Sequence, residues 1–208
     1  MKIIFVRHGE TEWNKLARFQ GSSDIELSEV GREQAKLVGK RLRDIEISAI
    51  YSSTFKRAYE TALAIRGDRD IEIMKDKRLG EIDFGHWEGM LFEDVKIKYP
   101  EEFTIYRQRP HECVIPGEGS LDKARMRAWQ ALNEIIELYK DSEDNIVIAA
   151  HGGIIRLMIF ELLNIGTEAF TSFPLYNTAV SVVEVTPERN ILKLFNDINH
   201  LGLGAEAI

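Results

Sequence analysis

The sequence predicts an α/β protein, a three-layer α/β/α sandwich around a mostly parallel sheet. Two observations carry this prediction. Short β-branched segments alternate with helical periodicities along most of the chain, which is the pattern of a parallel sheet covered by helices on both faces. The 208 residues are 44% hydrophobic and 29% charged, ordinary values for a globular domain with its own core. We therefore expect a single domain over residues 1–208.

Six short β-branched segments, bounded by polar residues, glycine or proline, are predicted to be strands. They are Ile3–Val6, Ile45–Tyr51, Ile71–Met74, Asn145–Ala150, Ala179–Thr186 and Ile191–Phe195. The last two enclose Pro187–Asn190, a turn-like composition that favours an antiparallel hairpin. The sheet is therefore expected to be mixed, with an antiparallel strand at one edge.

Four helices are predicted between or after these strands, because apolar residues recur there at helical spacing. They cover Leu27–Arg43, Thr54–Ile65, Ser120–Tyr139 and Gly152–Leu163. In the first helix Ser28 is the expected N-cap. Its apolar residues at helical spacing, which are expected to share one buried face, are Val30, Leu37, Val38 and Leu42.

The segment from Glu81 to Gly119 differs from the rest of the chain. It contains three of the five prolines and shows no clear strand. We interpret residues from about 85 to 120 as a small helical lid insertion that covers the functional site. Within it, Phe103, Tyr106 and Val114 are expected to contact a bound substrate.

The overall charge limits the classes of partner. Lysine and arginine number 27 against 34 acidic residues, a net charge of −7, which is the wrong sign for broad binding to nucleic acid or to an acidic membrane. An anionic ligand would therefore need a local cluster of positive groups. Cys113 is the single cysteine, so no internal disulfide is expected and a reducing cytoplasm is the predicted location. We expect no nucleic-acid partner and no membrane span.

Basic side chains follow three of the predicted parallel strands, at the point where each strand ends. Arg7 and His8 follow the first strand, Arg57 lies just after the second, and His151 follows the fourth. The carboxyl ends of parallel strands meet at one edge of a sheet, where α/β proteins bind their ligands. Helices that start near residues 54 and 152 are expected to add amide donors to the same place. The sequence therefore predicts a phosphate site at this edge.

Four motifs around these residues resemble one known family. Val6–Asn14, which reads V-R-H-G-E-T-E-W-N, is similar to the R-H-G-x-T-x-x-N signature of the histidine phosphatase superfamily, also called the phosphoglycerate mutase-like family. The other three follow in the family's order: Ser52–Ala62, Glu81–Gly89 and Ala150–Gly153. The resemblance extends from Lys2 to about Leu201 and implies a phosphatase of the cofactor-independent branch.

The resemblance implies a role for each matching residue. His8 would be the nucleophile that forms a phosphohistidine, and it must be neutral to attack. Arg7, Arg57 and His151 would hold the phosphoryl oxygens and stabilise the charge that develops during transfer. Further phosphate contacts are implied for Asn14, Gln20, Gly21 and Gly152.

Glu81 is the candidate that the resemblance implies for the general acid and base, although Asp83 and Glu88 lie close by in the sequence. A carboxyl group beside a phosphate dianion is favoured in its protonated form, because like charges repel, and it can then protonate the leaving oxygen. The scheme requires no metal ion and no cofactor. The zinc motif H-E-x-x-H and the P-loop motif G-x-x-x-x-G-K-[ST] are both absent from the sequence.

Three functions stay open at this level. The first is a metal-independent phosphomonoesterase, a phosphoric monoester hydrolase acting on small phosphorylated metabolites, whose substrate range is broad or is centred on phosphoserine or α-ribazole 5′-phosphate. The second is a phosphoglycerate mutase, which would return the phosphoryl group to another hydroxyl of the substrate. The third is an inactive binding module, which would be expected to lack one of the implied catalytic residues. We favour the phosphatase, as a monomer or a homodimer.

Overall fold

The computed structural model describes residues 1–117 and 119–202. Glu118 in the predicted insertion and residues 203–208 of the predicted domain therefore lie outside the described residues. The six strands are β1 (Lys2–Arg7), β2 (Ala49–Ser52), β3 (Ile73–Lys75), β4 (Asn145–Ala150), β5 (Val180–Val185) and β6 (Asn190–Asp197). All six predicted strands are present, although β2 and β3 start later than predicted.

The strands form one sheet in the order β3-β2-β4-β1-β5-β6. The pairs β3–β2, β2–β4 and β4–β1 are parallel. β5 runs antiparallel to both β1 and β6. The mostly parallel sheet and the antiparallel hairpin at one edge are therefore confirmed, with β5 one place in from the edge.

Seven α-helices accompany the sheet in the described part of the chain. They are α1 (Glu12–Lys15), α2 (Glu29–Arg41), α3 (Lys56–Arg66), α4 (Phe92–Lys98), α5 (Pro100–Gln108), α6 (Leu121–Tyr139) and α7 (Gly152–Leu163). Ser28 is the N-cap of α2, as predicted, because its side chain accepts from the amide of Gly31. Within the described residues, no helix is long and apolar enough to cross a membrane.

The alternation of side chains along β1 explains the two covering layers. Ile3 and Phe5 belong to the apolar cluster that includes α6 and α7, whereas Ile4 and Val6 belong to the cluster that includes α2 and α3. Successive residues of a strand point to opposite faces of the sheet. Helices therefore cover both faces, which confirms the three-layer sandwich.

The predicted buried face of α2 is partly wrong. Val30 and Leu37 are 54% and 40% exposed, although Val38 and Leu42 are buried as predicted. The reason is the close approach of α3: a Cβ atom on Gly39 would lie 2.2 Å from the carbonyl oxygen of Ala64. Small residues of α2 therefore face α3, and the helix is rotated so that Val30 and Leu37 point away from the core.

The predicted helical insertion is confirmed by α4 and α5, which lie beside the carboxyl edge of the sheet. Tyr106 of α5 lines the cavity described below, as expected. Phe103 packs instead against the buried ring of Trp87, with ring centroids 6.4 Å apart. Val114 is exposed. The expectation that all three side chains contact substrate is therefore wrong for two of them.

Candidate active site

A cavity of about 380 Å³ opens at the carboxyl edge of the parallel strands. Eight of the nine site residues predicted from the sequence line it: Arg7, His8, Asn14, Gln20, Gly21, Arg57, Glu81 and Gly152. The ninth, His151, is completely buried, and its ring centroid lies 5.2 Å from that of His8. The structure therefore brings the whole predicted set together.

Strand register sets the relative position of the two histidines. Arg7 at the end of β1 pairs with Ala150 at the end of β4, and the amide of His8 donates to the carbonyl of Ala150 at 2.9 Å. His8 and His151 each follow the paired residues directly. The parallel ladder thus holds both rings side by side.

The imidazole of His8 is held in one tautomer. Its Nδ1 lies 2.7 Å from the carbonyl oxygen of Gly9, and because a carbonyl only accepts, Nδ1 carries the proton. Nε2 is then left with a lone pair. Burial lowers the pKa of His8 well below 6.5, and the positive charges of Arg57 and Arg7 lower it further. His8 is therefore neutral at physiological pH, which is the form that can attack phosphorus.

His151 lies at the N-terminus of α7 and makes one side-chain hydrogen bond, between Nε2 and the hydroxyl of Ser53 at 2.8 Å. Burial lowers the pKa of its imidazole well below 6.5, and Arg57 and His8 add to this effect. The ring is therefore neutral. Its Nδ1 is buried and has no hydrogen-bond partner among the described residues.

Backbone carbonyls hold the two arginines of the predicted site, of which Arg57 is buried and Arg7 is partly buried. Arg57 donates to the carbonyl oxygens of Ser23 and Gly21, at 2.7 and 2.9 Å. Arg7 donates to the carbonyl oxygen of Leu175. Burial lowers the pKa of each guanidinium to about 10, against the opposing attraction of Glu81. Both arginines therefore keep their positive charge at neutral pH.

Several buried polar atoms of this site have no partner. In the described part of the chain, six buried side-chain polar atoms lack a hydrogen bond, and four of them belong to the predicted site. These four are Arg7 Nε, Arg57 Nε, His151 Nδ1 and Gln20 Oε1. Buried polar groups are nearly always bonded in native proteins. Their concentration in one place indicates a site built for a polar ligand, and the guanidiniums indicate an anion.

Glu81 is fixed at the N-terminus of α7. Its two carboxylate oxygens accept from the amides of Ile82, Gly153 and Ile154, at 2.9, 3.0 and 3.1 Å. Gly153 makes this approach possible, because a Cβ atom there would lie 2.5 Å from a Glu81 oxygen. The carboxylate thus lines the cavity in a fixed orientation, opposite the arginines that it attracts.

One expectation about this edge is only partly met. Helices α3 and α7 were expected to present free amides to phosphate, but carboxylates of the protein accept from some amides in the first turn of each helix. The amide of Lys56 in α3 donates to Asp24 at 2.8 Å, and α7 donates to Glu81 as described. The positive end of a helix stabilises any nearby anion, and these side chains are tethered close to it.

Helix α1 and the loop that follows it supply the remaining predicted contacts. The amide oxygen of Asn14 accepts from Thr11 and Asn177, which orients the amide group within the cavity wall. Gly21 adopts a positive φ of 55°, and a Cβ atom there would lie 2.0 Å from a Glu88 oxygen. Only glycine fits both conditions without strain.

Glu88 anchors this loop. Its carboxylate accepts from the backbone amides of Ser22 and Ser23 and from both serine hydroxyls, at 2.7 to 3.0 Å. The carbonyl groups of the same loop orient Arg57. Sequence reasoning treated Glu88 only as a neighbour of Glu81.

Sequence reasoning missed four further residues around the cavity. Arg18, Arg156 and Asn177 line it, and Arg127 donates to the carbonyl oxygens of Arg78, Gly80 and Glu81. A signal existed for Arg156, which lies four residues after Gly152 and hence on the same face of α7. A signal existed for Asn177 also, because an antiparallel β5 must begin at the edge where the parallel strands end.

Within the described residues, no group of three or more histidine, cysteine or acidic side chains is arranged to hold a metal ion.

Comparisons with known proteins identify the family. Residues 3–198 match the family described as histidine phosphatase superfamily (branch 1). The chain is 38% identical over 202 residues to phosphoserine phosphatase 1 of Hydrogenobacter thermophilus, covering 97% of this chain and 95% of that one. It is 32% identical over 203 residues to a metal-independent phosphoserine phosphatase of Arabidopsis thaliana, covering 96% and 83%.

A solved structure of a phosphoserine phosphatase has the same fold as this chain. A mutant phosphoserine phosphatase of Entamoeba histolytica, crystallised with phosphoserine, superposes with a TM-score of 0.84 at 31% identity, covering 96% of this chain and 98% of that one. The resemblance drawn from the four motifs is therefore confirmed. The chain belongs to the histidine phosphatase superfamily, in its branch 1.

Proposed function

We propose that this protein is a metal-independent phosphomonoesterase that hydrolyses small phosphorylated metabolites through a phosphohistidine on His8. One observation carries the proposal. A neutral histidine with a free Nε2 lies in one cavity with two arginines, each of which has a buried and unpartnered Nε. Such a site offers a nucleophile and fixed positive charge to a phosphoryl group, which are the two requirements of phosphoryl transfer.

In the first step, Nε2 of His8 attacks phosphorus and the bond from phosphorus to the ester oxygen breaks. Arg7 and Arg57 stabilise the negative charge on the phosphoryl oxygens, and His151 donates a further hydrogen bond. Glu81, as the assigned general acid, gives a proton to the leaving oxygen. The products are the free alcohol and the phosphohistidine.

In the second step, water attacks the phosphorus of the phosphohistidine. Glu81, now a carboxylate, takes a proton from this water, and the bond between phosphorus and Nε2 breaks. Inorganic phosphate leaves and His8 returns to its neutral form. Asn14, Gln20, Gly21 and Gly152 line the same cavity and are assigned to phosphate binding.

Family membership and the phosphoserine phosphatase relatives support a phosphoric monoester hydrolase. They support the mutase alternative less well. An inactive binding module would lack part of the catalytic set, whereas all five residues assigned to catalysis are present and adjacent. The substrate is a small phosphorylated metabolite, and phosphoserine and α-ribazole 5′-phosphate stay as candidates.

The test is phosphate release in EDTA from phosphoserine, 3-phosphoglycerate, α-ribazole 5′-phosphate and p-nitrophenyl phosphate. We expect hydrolysis by the wild type and none by His8→Ala, whose thermal unfolding is measured to show that it folds. Rapid acid-free quenching with radiolabelled substrate should trap a phosphoenzyme that is stable in base and labile in acid. Conversion of 3-phosphoglycerate to its 2-isomer without phosphate release would establish the mutase instead.

A further inference from the structure

We propose that Arg156 binds a carboxylate on the leaving group, so that the preferred substrates are phosphorylated hydroxy acids without an ammonium group beside the carboxylate. This inference rests on the proposed function and specifies its substrate class. It predicts different rates for esters with and without a carboxylate on the leaving group, which the phosphatase activity alone does not distinguish.

The guanidinium of Arg156 is held rigidly at the cavity wall. Its Nε donates to the carbonyl oxygen of Gly152 at 3.0 Å, and Nη1 donates to the carbonyl oxygen of Phe170 at 2.8 Å. The guanidinium carbon lies 3.8 Å from the centroid of the Phe170 ring, so the group also stacks on this ring. Within the described residues Nη2 donates to no acceptor. An oriented donor with an unused N–H group is therefore present in the cavity.

Arg156 is separate from the pair assigned to phosphate. Arg7 and Arg57 follow β1 and β2, whereas Arg156 lies one turn into α7, between Gly152 and the Phe170 segment. Both guanidiniums lie against Gly152: Arg156 Nε donates to its carbonyl oxygen, and a Cβ atom on Gly152 would lie 3.3 Å from Arg7 Nε. An anion carried by the leaving group of a bound ester would therefore fall within reach of Arg156.

The charges around the cavity favour a second anion. Its described lining contains four arginines, Arg7, Arg18, Arg57 and Arg156, and one acid, Glu81. A phosphate dianion balances two of the four positive charges. Tyr106 also lines the cavity, and burial raises the pKa of its hydroxyl to about 12, so this group stays protonated and is a hydrogen-bond donor.

An ammonium group would find no matching anion there. Glu81 is the single acid in the described lining, and it is assigned to proton transfer at the leaving oxygen. The unpartnered Oε1 of Gln20 is a neutral acceptor and does not balance a charge. Asn14 and Asn177 add only neutral amide groups to the lining, and Phe84 and Phe92 add apolar surface. Desolvating an unpaired ammonium beside arginines is unfavourable.

The test compares kcat/KM for esters that differ in one group. The panel is 3-phosphoglycerate, glycerol 3-phosphate, phosphoserine, phosphoethanolamine and α-ribazole 5′-phosphate. We expect 3-phosphoglycerate to exceed glycerol 3-phosphate by about 10- to 100-fold, the range of a hydrogen bond to a charged group. Phosphoserine should fall below 3-phosphoglycerate, and phosphoethanolamine should be the poorest.

Substitution of Arg156 assigns the preference to this residue. In Arg156→Gln the ratio of kcat/KM for 3-phosphoglycerate over glycerol 3-phosphate should fall to near one, and Arg156→Lys should restore part of it. Arg43→Gln, an exposed arginine outside the cavity, is the matched control and should keep the wild-type ratio. Thermal unfolding of each variant shows whether it folds.

The outcomes separate this inference from the proposed function. Hydrolysis of all esters without a preference for the carboxylate, or an equal loss for both esters in Arg156→Gln, overturns the inference and leaves the phosphatase intact. Phosphoserine or α-ribazole 5′-phosphate as the best substrate overturns it also. If no ester is hydrolysed, the proposed function fails. In that case calorimetry measures the affinities of the full-length protein for 3-phosphoglycerate and glycerol 3-phosphate. The ratio of these two affinities, compared between the wild type and Arg156→Gln, then tests the role of Arg156.

Discussion

The two ends of the cavity are built in different ways. At the phosphate end, Arg7, His8 and His151 follow strands directly, and the backbone ladder of the sheet sets their positions. At the leaving-group end, Phe84, Tyr106 and Arg156 come from a loop, from the insertion and from the interior of a helix, and side-chain packing sets their positions. The difference indicates that the chemistry depends on the register of the sheet, whereas selectivity depends on replaceable side chains.

The largest effect should come from Glu81, which lies between the two ends. We expect Glu81→Gln to lower kcat for alkyl phosphates by about 10²- to 10⁴-fold, the usual contribution of a positioned acid. The loss should be smaller for p-nitrophenyl phosphate, because its leaving group departs without a proton. Steady-state rates on both substrates measure the difference. Asp83→Asn, at an exposed neighbour, should retain wild-type rates, and an equal loss on both substrates would contradict the assigned role.

At the phosphate end, Arg57→Lys should lower kcat by about 10²-fold, the cost of removing one donor to the charge of a transition state. Lysine keeps the charge but loses the planar fork that bonds to Ser23 and Gly21. The rate should fall for every ester to the same extent, because all share the phosphoryl group. Arg32→Lys, in an exposed pair with Glu60, serves as the control. Selective loss on one ester would place Arg57 at the leaving-group end instead.

A smaller effect is expected from Arg127, which holds the backbone before and at Glu81. We expect Arg127→Met to lower kcat about tenfold, with the same dependence on leaving group as Glu81→Gln, and Arg127→Lys to recover part of the loss. In the double variant Arg127→Met with Glu81→Gln, the losses should not add, since both act through one carboxyl group. Additive losses would show that Arg127 supports the fold alone.

The last prediction concerns stability instead of rate. His8 and His151 are neutral in the folded protein with lowered pKa values, whereas in the unfolded chain they titrate near 6.5. Below pH 6.5 the unfolded state therefore binds more protons, and each histidine should remove about 1.4 kcal/mol of the free energy of unfolding per pH unit. Urea unfolding between pH 7.5 and 5 in a buffer without phosphate measures this slope. His151→Gln should reduce it, and an unchanged slope would contradict the assignment.

The sequence predicted the phosphate end far better than the leaving-group end. Arg7, His8, Arg57 and His151 lie next to strands whose β-branched runs are visible locally, so the rule for parallel sheets places them together. Arg156 lies inside an apolar helix, where its spacing of four residues from Gly152 is the one sign that it faces a cavity instead of interrupting the core. Its position becomes apparent only when α7 is seen to begin at the site.

The errors share a physical cause, which is packing between elements distant in sequence. Val30 and Leu37 fit a helical period, but the approach of α3 selects a different face of α2. Some of the amides expected to be free at two helix ends donate to Asp24 and Glu81, which come from other segments. Local periodicity carries no information about either contact.

The pairing of Arg7 with Ala150 has a consequence for how this chain tolerates insertions and deletions. The insertion or deletion of one residue in β1 would move the side chains of Ile3 to Val6 to the opposite faces of the sheet and carry His8 away from His151. Catalytic activity would then be lost completely, even if the chain still folded. Insertions in the segment from 92 to 117 would leave that pairing untouched. New selectivity can therefore be engineered by changing loop and helix lengths there, while the length of β1 has to be kept.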